Sequence, residues 1–333
     1  MIKGHGDDAY QYPHIVSDFS SNICAGKSHQ ALMGFLAAHP ELASHYPEPE
    51  AWSLERMIAE QHDLNPEQVI VTNGATDAIY LIAQAFPMQA DIPRPTFSEY
   101  EDACLLFPRT DTVHRILWLC NPNNPTGDVY DQAVIDKMMV KYDLVVVDQS
   151  YENYTNRFIM NPRWAARMPN LIQIHSFTKT YAIPGLRLGY ITAHASLTAH
   201  LRQFLRPWSV SALAIEAGKF LLRNDDELRC TPDLNEAQRL REELQQIEGI
   251  ITQETQTNFI LCQCVPHFDL QVEEFENGSA AQLKDYLARQ HQMLIRDCSN
   301  FKGLTPRHFR IAAQTPAEND ALVAAIRQFV KSM

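Results

Sequence analysis

The chain has 333 residues, of which 45 % are hydrophobic and 20 % charged, so it carries ample material for a packed core and is neither disordered nor low in complexity. With 28 Lys and Arg against 40 Asp and Glu the formal charge is −12, and long-range repulsion makes nucleic acid and anionic membrane surfaces poor partners. No stretch approaches the roughly 18 apolar residues of a membrane span, and the N-terminus turns polar at once where a secretory leader would be apolar. The seven cysteines, at 24, 104, 120, 230, 262, 264 and 298, form no Cys-x-x-Cys pair and show no zinc-type spacing with histidine. They are expected to be reduced thiols in a cytoplasmic protein that holds no metal.

In chain order, the first 25 residues read as an irregular arm with a short strand near 15–20. Residues 51–62 follow a helical pattern closed by Asn65-Pro66. Residues 68–72 are a β-branched run that stops at Asn73-Gly74, and 76–86 then reads as a helix rich in Ala, Ile and Leu. Strand, glycine turn and helix make the first half of a parallel α/β unit. Strands at 116–120, 144–147 and 171–175, with a helix at 132–142, continue the alternation. Apolar strands alternating with helices predict a parallel sheet buried on both faces. Beyond about residue 225 the pattern changes to a charged amphipathic helix at 232–247, a strand at 258–264, a helix at 279–291, a short strand at 310–312 and a last helix at 318–331. This predicts a smaller α+β unit. The expected division is an arm at 1–45 that contributes to the small domain, a large domain at 46–225, and a C-terminal small domain at 226–333.

Ligands of an open parallel sheet bind beyond the carboxyl ends of its strands. Those ends carry Asn73-Gly74-Ala75-Thr76, the run from Asn121 to Gly127, Asp148-Gln149-Ser150-Tyr151 and Ser176-Phe177-Thr178-Lys179. A lysine amine with a lowered pKa is a nucleophile toward an aldehyde. An Asp at the next strand end can keep a pyridine nitrogen protonated. Gly74 and the N–H groups of Ala75 and Thr76 open a helix, a ready phosphate site, to which Arg187 adds a planar fork. Together these residues describe a pocket for pyridoxal 5'-phosphate.

The segment from Ser176 to Tyr190, with Lys179, Pro184-Gly185 and Arg187, resembles the cofactor-lysine segment of fold-type I aminotransferases. Asn121-Pro122-Asn123-Asn124-Pro125-Thr126-Gly127 is similar to their Asn-Pro-x-Asn-Pro-Thr-Gly loop, and Asp148-x-x-Tyr151 to their ring-binding pair. The resemblance implies an α/β fold with a large domain on a mainly parallel, seven-stranded-type sheet flanked by helices, and a smaller α+β domain. It implies catalytic roles for Lys179, Asp148 and Tyr151. Lys179 would carry the cofactor and move protons at the substrate Cα, Asp148 would meet the pyridine nitrogen, and Asn124 with Tyr151 would hydrogen-bond the ring oxygen. Gly74, Ala75, Thr76, Ser176, Thr178 and Arg187 would hold the phosphate. Tyr100 would stack on the ring, with Phe97 as second candidate. Tyr46 would reach the neighbouring subunit's cofactor, which implies a homodimer with shared active sites.

The termini narrow the branch. Gly4-His5-Gly6, Asp18-Phe19-Ser20-Ser21-Asn22-Ile23 and the run Arg296-Asp297-Cys298-Ser299-Asn300-Phe301-Lys302-Gly303-Leu304 together resemble the threonine-phosphate decarboxylases of cobalamin biosynthesis. Histidinol-phosphate aminotransferases share the core and Arg310-Ile311 but not usually the other segments. Two departures bear on the arm: Asp7 replaces a glycine, and Asn22-Ile23-Cys24-Ala25 replaces Asn-x-Asn-Pro. A phosphorylated amino acid brings a carboxylate and a phosphate, so Arg310 is expected at the carboxylate and Arg296 with His5 at the phosphate, helped by Asn22 and Asn124. The alternatives are transamination of histidinol phosphate and a non-catalytic module that binds the cofactor. The last usually carries a helix-turn-helix domain, for which there is no room before Tyr46.

Overall fold

The structure is a computed structural model that describes residues 8–265 and 279–332. Its strands are β1 (Ser17–Asp18), β2 (Val69–Thr72), β3 (Gln89–Asp91), β4 (Arg115–Cys120), β5 (Leu144–Asp148), β6 (Leu171–Ser176), β7 (Gly189–Ala193), β8 (Ile250–Thr252), β9 (Phe259–Cys264), β10 (Met293–Leu294), β11 (Arg296–Asp297) and β12 (His308–Ala312). The central sheet has the order β2-β7-β6-β5-β4-β3. It is α/β and flanked by helices as expected, but six strands pair among the described residues rather than seven. Its direction is mixed: β3 to β6 are parallel, whereas β7 runs antiparallel to both β2 and β6.

Both faces of this sheet are covered, which is why β5 reads Leu-Val-Val-Val without alternation. Val146, Trp118 and Ile172 face one core with Ile79 and Ile82 of the helix Ala75–Ala85, while Val145, Val147, Leu117 and Leu119 face another with Ile135. The unforeseen strand β7 matters most. Because it is antiparallel, its first residue, Gly189, pairs with the last residues of β2 and β6, Thr72 and Ser176. Arg187, two residues earlier, is thereby brought to the strand ends that hold Gly74 and Lys179. The approach leaves no room for a side chain at Gly189: a Cβ there would lie 2.8 Å from the Ala75 nitrogen and 2.8 Å from the His175 carbonyl oxygen.

The helices Gln30–Ala38, Ala195–Arg202 and Ala212–Arg223 were also not foreseen. The last had a readable start, since the Ser211 side chain accepts from the Ala214 N–H at 3.2 Å. The second sheet, β11-β12-β9-β8, is antiparallel throughout and backs onto the helices Leu234–Gln245, Ala280–His291 and Pro316–Ser332. Its core holds Leu240, Leu244, Ile260, Phe309, Ile311 and Ile326, together with Phe19 from the arm. The arm is bound in by backbone: β1 pairs in parallel with β10, and the Phe19 carbonyl accepts from the Ala312 N–H at 2.8 Å. No helix among the described residues is long and apolar enough to cross a membrane.

Behind β6 lies a polar cluster. His175 stacks on Tyr190 with ring centroids 4.4 Å apart and places Nδ1 3.1 Å from a Glu152 carboxylate oxygen. Its neighbour His62 sits 3.0 Å from the Tyr190 hydroxyl. Burial pushes the His62 pKa down from 6.5 to about 4, the nearby His175 and Arg229 add to this, and Glu152 and Asp225 oppose it. A neutral buried histidine stabilises the fold fully above its unfolded pKa, and that contribution is lost as pH falls through the folded value.

Two predictions result. Gly189→Ala is expected to destabilise the protein by about 1–3 kcal/mol in urea unfolding, because the clash is with backbone atoms that cannot swing aside; an unchanged midpoint would contradict the packing. The thermal midpoint is expected to drop between pH 6.5 and about 4, and to drop less in His62→Gln. Parallel curves for the two proteins would remove His62 as the cause.

Candidate active site at the strand ends

A cavity of about 790 Å³ opens where β4, β5 and β6 end, between the two sheets. Its lining includes Ala75, Thr76, Asn124, Asp148, Tyr151, Ser176, Thr178, Lys179 and Arg187 from the large sheet, and Arg296 and Arg310 from the small one. The structure thus brings together nearly all the residues singled out from the sequence.

One end is built for an anion. The helix Ala75–Ala85 starts without a side-chain cap, so its first N–H groups face outward with the positive end of the helix dipole. Gly74 has φ +87°, and a Cβ on it would lie 2.6 Å from Arg187 Nη2, so glycine is what lets the guanidinium lie against the turn. Arg187, itself at φ +52°, donates to the Pro184 carbonyl at 3.2 Å and to Thr178 Oγ1 at 3.4 Å. Backbone donors, hydroxyls of Thr76, Ser176 and Thr178 and one guanidinium make a donor set suited to a phosphate dianion.

At the centre, Asp148 is buried. Its Oδ2 accepts from the Tyr100 hydroxyl at 2.7 Å and its Oδ1 from the Ser150 N–H at 2.9 Å. Burial raises its pKa above the usual carboxylate range, with the Ser150 and Tyr100 hydrogen bonds opposing. A buried carboxylate held this way is best relieved by a cationic N–H partner. The Lys179 amine donates to the Ser21 carbonyl at 2.8 Å and lies 5.5 Å from the centre of the Tyr151 ring. The Tyr151 hydroxyl accepts from Asn22 Nδ2 at 3.4 Å; burial pushes its pKa up to about 12 against the pull of Arg310.

The far wall carries the arginines. Arg296 and Arg310 are cross-strand partners on β11 and β12, and both are buried. Arg310 donates to Asn124 Oδ1 and to the Ser20 carbonyl, while its Nε is buried without a partner. Arg296 donates to Asn300 Oδ1 at 2.9 Å and lies 5.3 Å from the Phe301 ring centre. Burial lowers its pKa, and the charge of Arg310 lowers it further.

Three expectations are altered or fall elsewhere. Tyr100, expected to stack on a cofactor ring, is fully buried, lies 5.5 Å from Trp118 in a stacked pair and spends its hydroxyl on Asp148. Phe97 meets Tyr100 edge-on, and both line the cavity. Tyr46 is 84 % exposed, rests 5.4 Å from Trp208 and does not line the cavity of its own chain. His5 lies outside the described residues. Residues that sequence reasoning missed are positioning ones. Asn123 ties the loop to Pro95 and Thr126 at 2.9 Å each, and the Tyr154 hydroxyl donates to the Lys179 carbonyl at 3.1 Å. Asn123 stood inside the loop motif; Tyr154 had no signal beyond being three residues after Tyr151.

Residues 107–326 match the family of class I and II aminotransferases. The threonine-phosphate decarboxylase of Salmonella typhimurium is 27 % identical over 345 residues, covering 95 % of this chain and 91 % of that protein. A histidinol-phosphate aminotransferase of Caldanaerobacter subterraneus is 28 % identical over 312 residues, covering 86 % and 84 %. The crystal structure of L-threonine-O-3-phosphate decarboxylase from Porphyromonas gingivalis superimposes with a TM-score of 0.86 at 33 % identity, covering 95 % of this chain and 100 % of that one. With the lysine, the buried aspartate and the anion cradle assembled in one cavity, the chain belongs to the class I and II aminotransferase family, whose members depend on pyridoxal 5'-phosphate.

Proposed function

We propose that this enzyme decarboxylates O-phospho-L-threonine to 1-aminopropan-2-ol phosphate, a reaction of cobalamin biosynthesis. The observation that carries the reading is the arginine pair: two buried guanidiniums on paired strands, in the cavity that Lys179 also lines, suit a small substrate with an anion at each end. Relatives of both decarboxylase and aminotransferase type lie at similar identity. The solved structure at 33 % identity supports the decarboxylase branch.

Residues 46–225 would hold the cofactor, with its phosphate at Gly74, Ala75, Thr76, Ser176, Thr178 and Arg187. Phe97 would cover one face of the ring. Asp148 would keep a proton on the ring nitrogen, and Asn124 and Tyr151 would hydrogen-bond the ring oxygen. When bound, pyridoxal 5'-phosphate supplies a sink for the electron pair released at the substrate Cα. Arg310 would take the substrate carboxylate and Arg296 its phosphate, with Asn22 and Asn124 beside them and His5 reaching in from the arm. Holding both ends would fix the rotation about the Cα bonds and so decide which of them is broken. In a decarboxylase that is the Cα–carboxylate bond: carbon dioxide would leave, and the Lys179 amine would return a proton to Cα. Trapping the substrate between two buried guanidiniums would strengthen each contact. Tyr46, exposed in one chain, would complete the phosphate site of a second copy in a homodimer. The same residues would serve a transaminase if Cα–H were the bond broken, with histidinol phosphate and 2-oxoglutarate as reactants.

Lys179→Ala is expected to lower turnover by about a thousandfold or more and to abolish the visible absorption of the cofactor-loaded protein; retained activity would defeat the enzyme reading. The holoenzyme should release carbon dioxide from O-phospho-L-threonine with no keto acid present. Arg310→Gln should raise KM for that substrate by about 10- to 100-fold, the worth of one charge-assisted hydrogen-bond set. Conversion of histidinol phosphate that depends on 2-oxoglutarate, without carbon dioxide release from phosphothreonine, would replace the decarboxylase by the transaminase.

A further inference from the structure

Glu152, Asn153 and Tyr154 follow Tyr151 directly, and each of them holds the segment that carries Lys179. Glu152 meets His175, the residue before Ser176, with its two carboxylate oxygens 3.1 and 3.3 Å from Nδ1. Asn153 Nδ2 donates to Thr180 Oγ1 at 3.1 Å, and the Tyr154 hydroxyl donates to the Lys179 carbonyl at 3.1 Å. His175 is fully buried, so its hydrogen-bonding neighbours decide where its ring protons sit.

Those neighbours can be read one proton at a time. The Met160 carbonyl can only accept, so the Gln173 amide turns its nitrogen toward it, at 3.0 Å, and its oxygen toward Thr192. The Thr192 hydroxyl has one proton and gives it to that oxygen at 3.1 Å. The Thr192 oxygen is left to accept, and His175 Nε2 stands 3.0 Å away as its donor. The reverse arrangement would strand the buried Gln173 oxygen without the Thr192 proton. On the other side Nδ1 faces a carboxylate. Burial raises the Glu152 carboxyl, but His175, His62 and Arg229 outweigh it and hold the group below its usual range, so it is ionised and accepts only. Both ring nitrogens of His175 therefore donate. The Tyr190 ring lies flat against the imidazole, with centroids 4.4 Å apart and planes 11° apart, a face that suits a cation. The other ionisable groups around the pair are matched among themselves. Asp225 takes Arg229 and the Tyr181 hydroxyl at 2.6 Å each, Arg229 also donates to Asn153 Oδ1 at 3.0 Å, and the neutral His62 meets the Tyr190 hydroxyl at 3.0 Å.

We propose that His175 is an imidazolium and that its ion pair with Glu152 is the positioning contact that sets Tyr151 against Lys179. A charge pair held out of water is exacting in distance and direction, and breaking it leaves one charge uncompensated. The pair fixes the turn Glu152–Tyr154 and with it the Tyr151 ring, 5.5 Å from the Lys179 amine. Neither Glu152 nor His175 lines the active-site cavity, so both act through Tyr151 and Lys179. The inference rests on Lys179 carrying the cofactor and not on which bond of the substrate is broken.

The test has two parts. Protein isotope-labelled at the histidine ring nitrogens is read by solid-state nitrogen NMR at neutral pH, with His175→Gln to assign the signals. Both His175 nitrogens are expected to resonate as N–H nitrogens, and one that resonates as a bare nitrogen overturns the imidazolium. The second part compares cofactor-loaded wild type with Glu152→Gln, His175→Gln and the double variant, each assayed well below its thermal midpoint. Each single variant should lower kcat by about tenfold or more with KM changed by less than about threefold. The double variant should be no slower than the worse single one, because the two residues act as one contact. The pH at which the visible absorption of the loaded protein changes should shift by about half a unit or more, since the surroundings of the Lys179 amine have moved. Glu152→Asp, which keeps the charge but shortens the reach, guards against a variant that fails to fold, and the same fall in kcat is expected of it. Variants that keep kcat and the absorption profile overturn the positioning role. A wild type with no such absorption overturns the proposed function and the positioning role with it, while the NMR result still decides the ion pair.

Discussion

The buried guanidinium of Arg310 decides how three distant parts of the chain meet. A charge removed from water is tolerable only when its donors are used, and breaking such a set leaves an uncompensated charge worth about 3–5 kcal/mol. Arg310 meets most of this demand with Asn124 from the loop after β4 and with the Ser20 carbonyl from the arm, and only its Nε is left without a partner. Residues 20, 124 and 310 are thus held at one point, and the cavity is the space left around it. The arm is consequently part of the site wall. Its own backbone pairing with β10 and β12 holds it from the other side, so the small sheet, the arm and the large sheet are tied to one charge.

A second constraint is the direction of β7. In a wholly parallel sheet, the residue before a strand lies at the edge opposite the strand ends. Reversal of β7 puts its leading residues, Arg187 among them, at the same edge as the ends of β2, β5 and β6. The glycines at 74 and 189 are the local cost of that convergence, since a side chain at either would strike Arg187 or the start of the helix Ala75–Ala85. Three cofactor functions, an amine, a carboxylate and an anion cradle, are brought within one cavity by strand ends alone, with no long loop needed.

Much of this was legible before the structure because a buried strand writes itself plainly. Leu144 to Val147 is apolar throughout, so the first polar residue, Asp148, marks the strand end and the place to look for chemistry. Gly74 is found in a similar way, just past the strand Val69–Thr72, whereas Lys179 follows a strand that already carries Gln173 and His175 and stood out by its motif. The direction of β7 was not legible, because five residues of Gly-Tyr-Ile-Thr-Ala carry no mark of the neighbours they pair with. The surroundings of Tyr100 were not legible for a related reason. Phe97 and Tyr100 are equally aromatic, and only the folded structure shows that Tyr100 is fully buried with its hydroxyl on Asp148 while both rings line the cavity. The arm's two-residue strand is held by pairing to another two-residue strand, too short for either to show a period.

Net charge is a poor guide to what such a protein binds, and the structure shows why. The chain carries −12 overall, yet Lys179, Arg187, Arg296 and Arg310 line one cavity together with a helix N-terminus. The surplus acid lies largely on the outside, in exposed carboxylates such as Asp63 and Asp131, where water screens it within about 10 Å at moderate ionic strength. At the cavity wall the four cations and the oriented N–H groups face the carboxylates of Asp18, Asp148 and Glu318, so the local balance differs from the negative total of the whole chain.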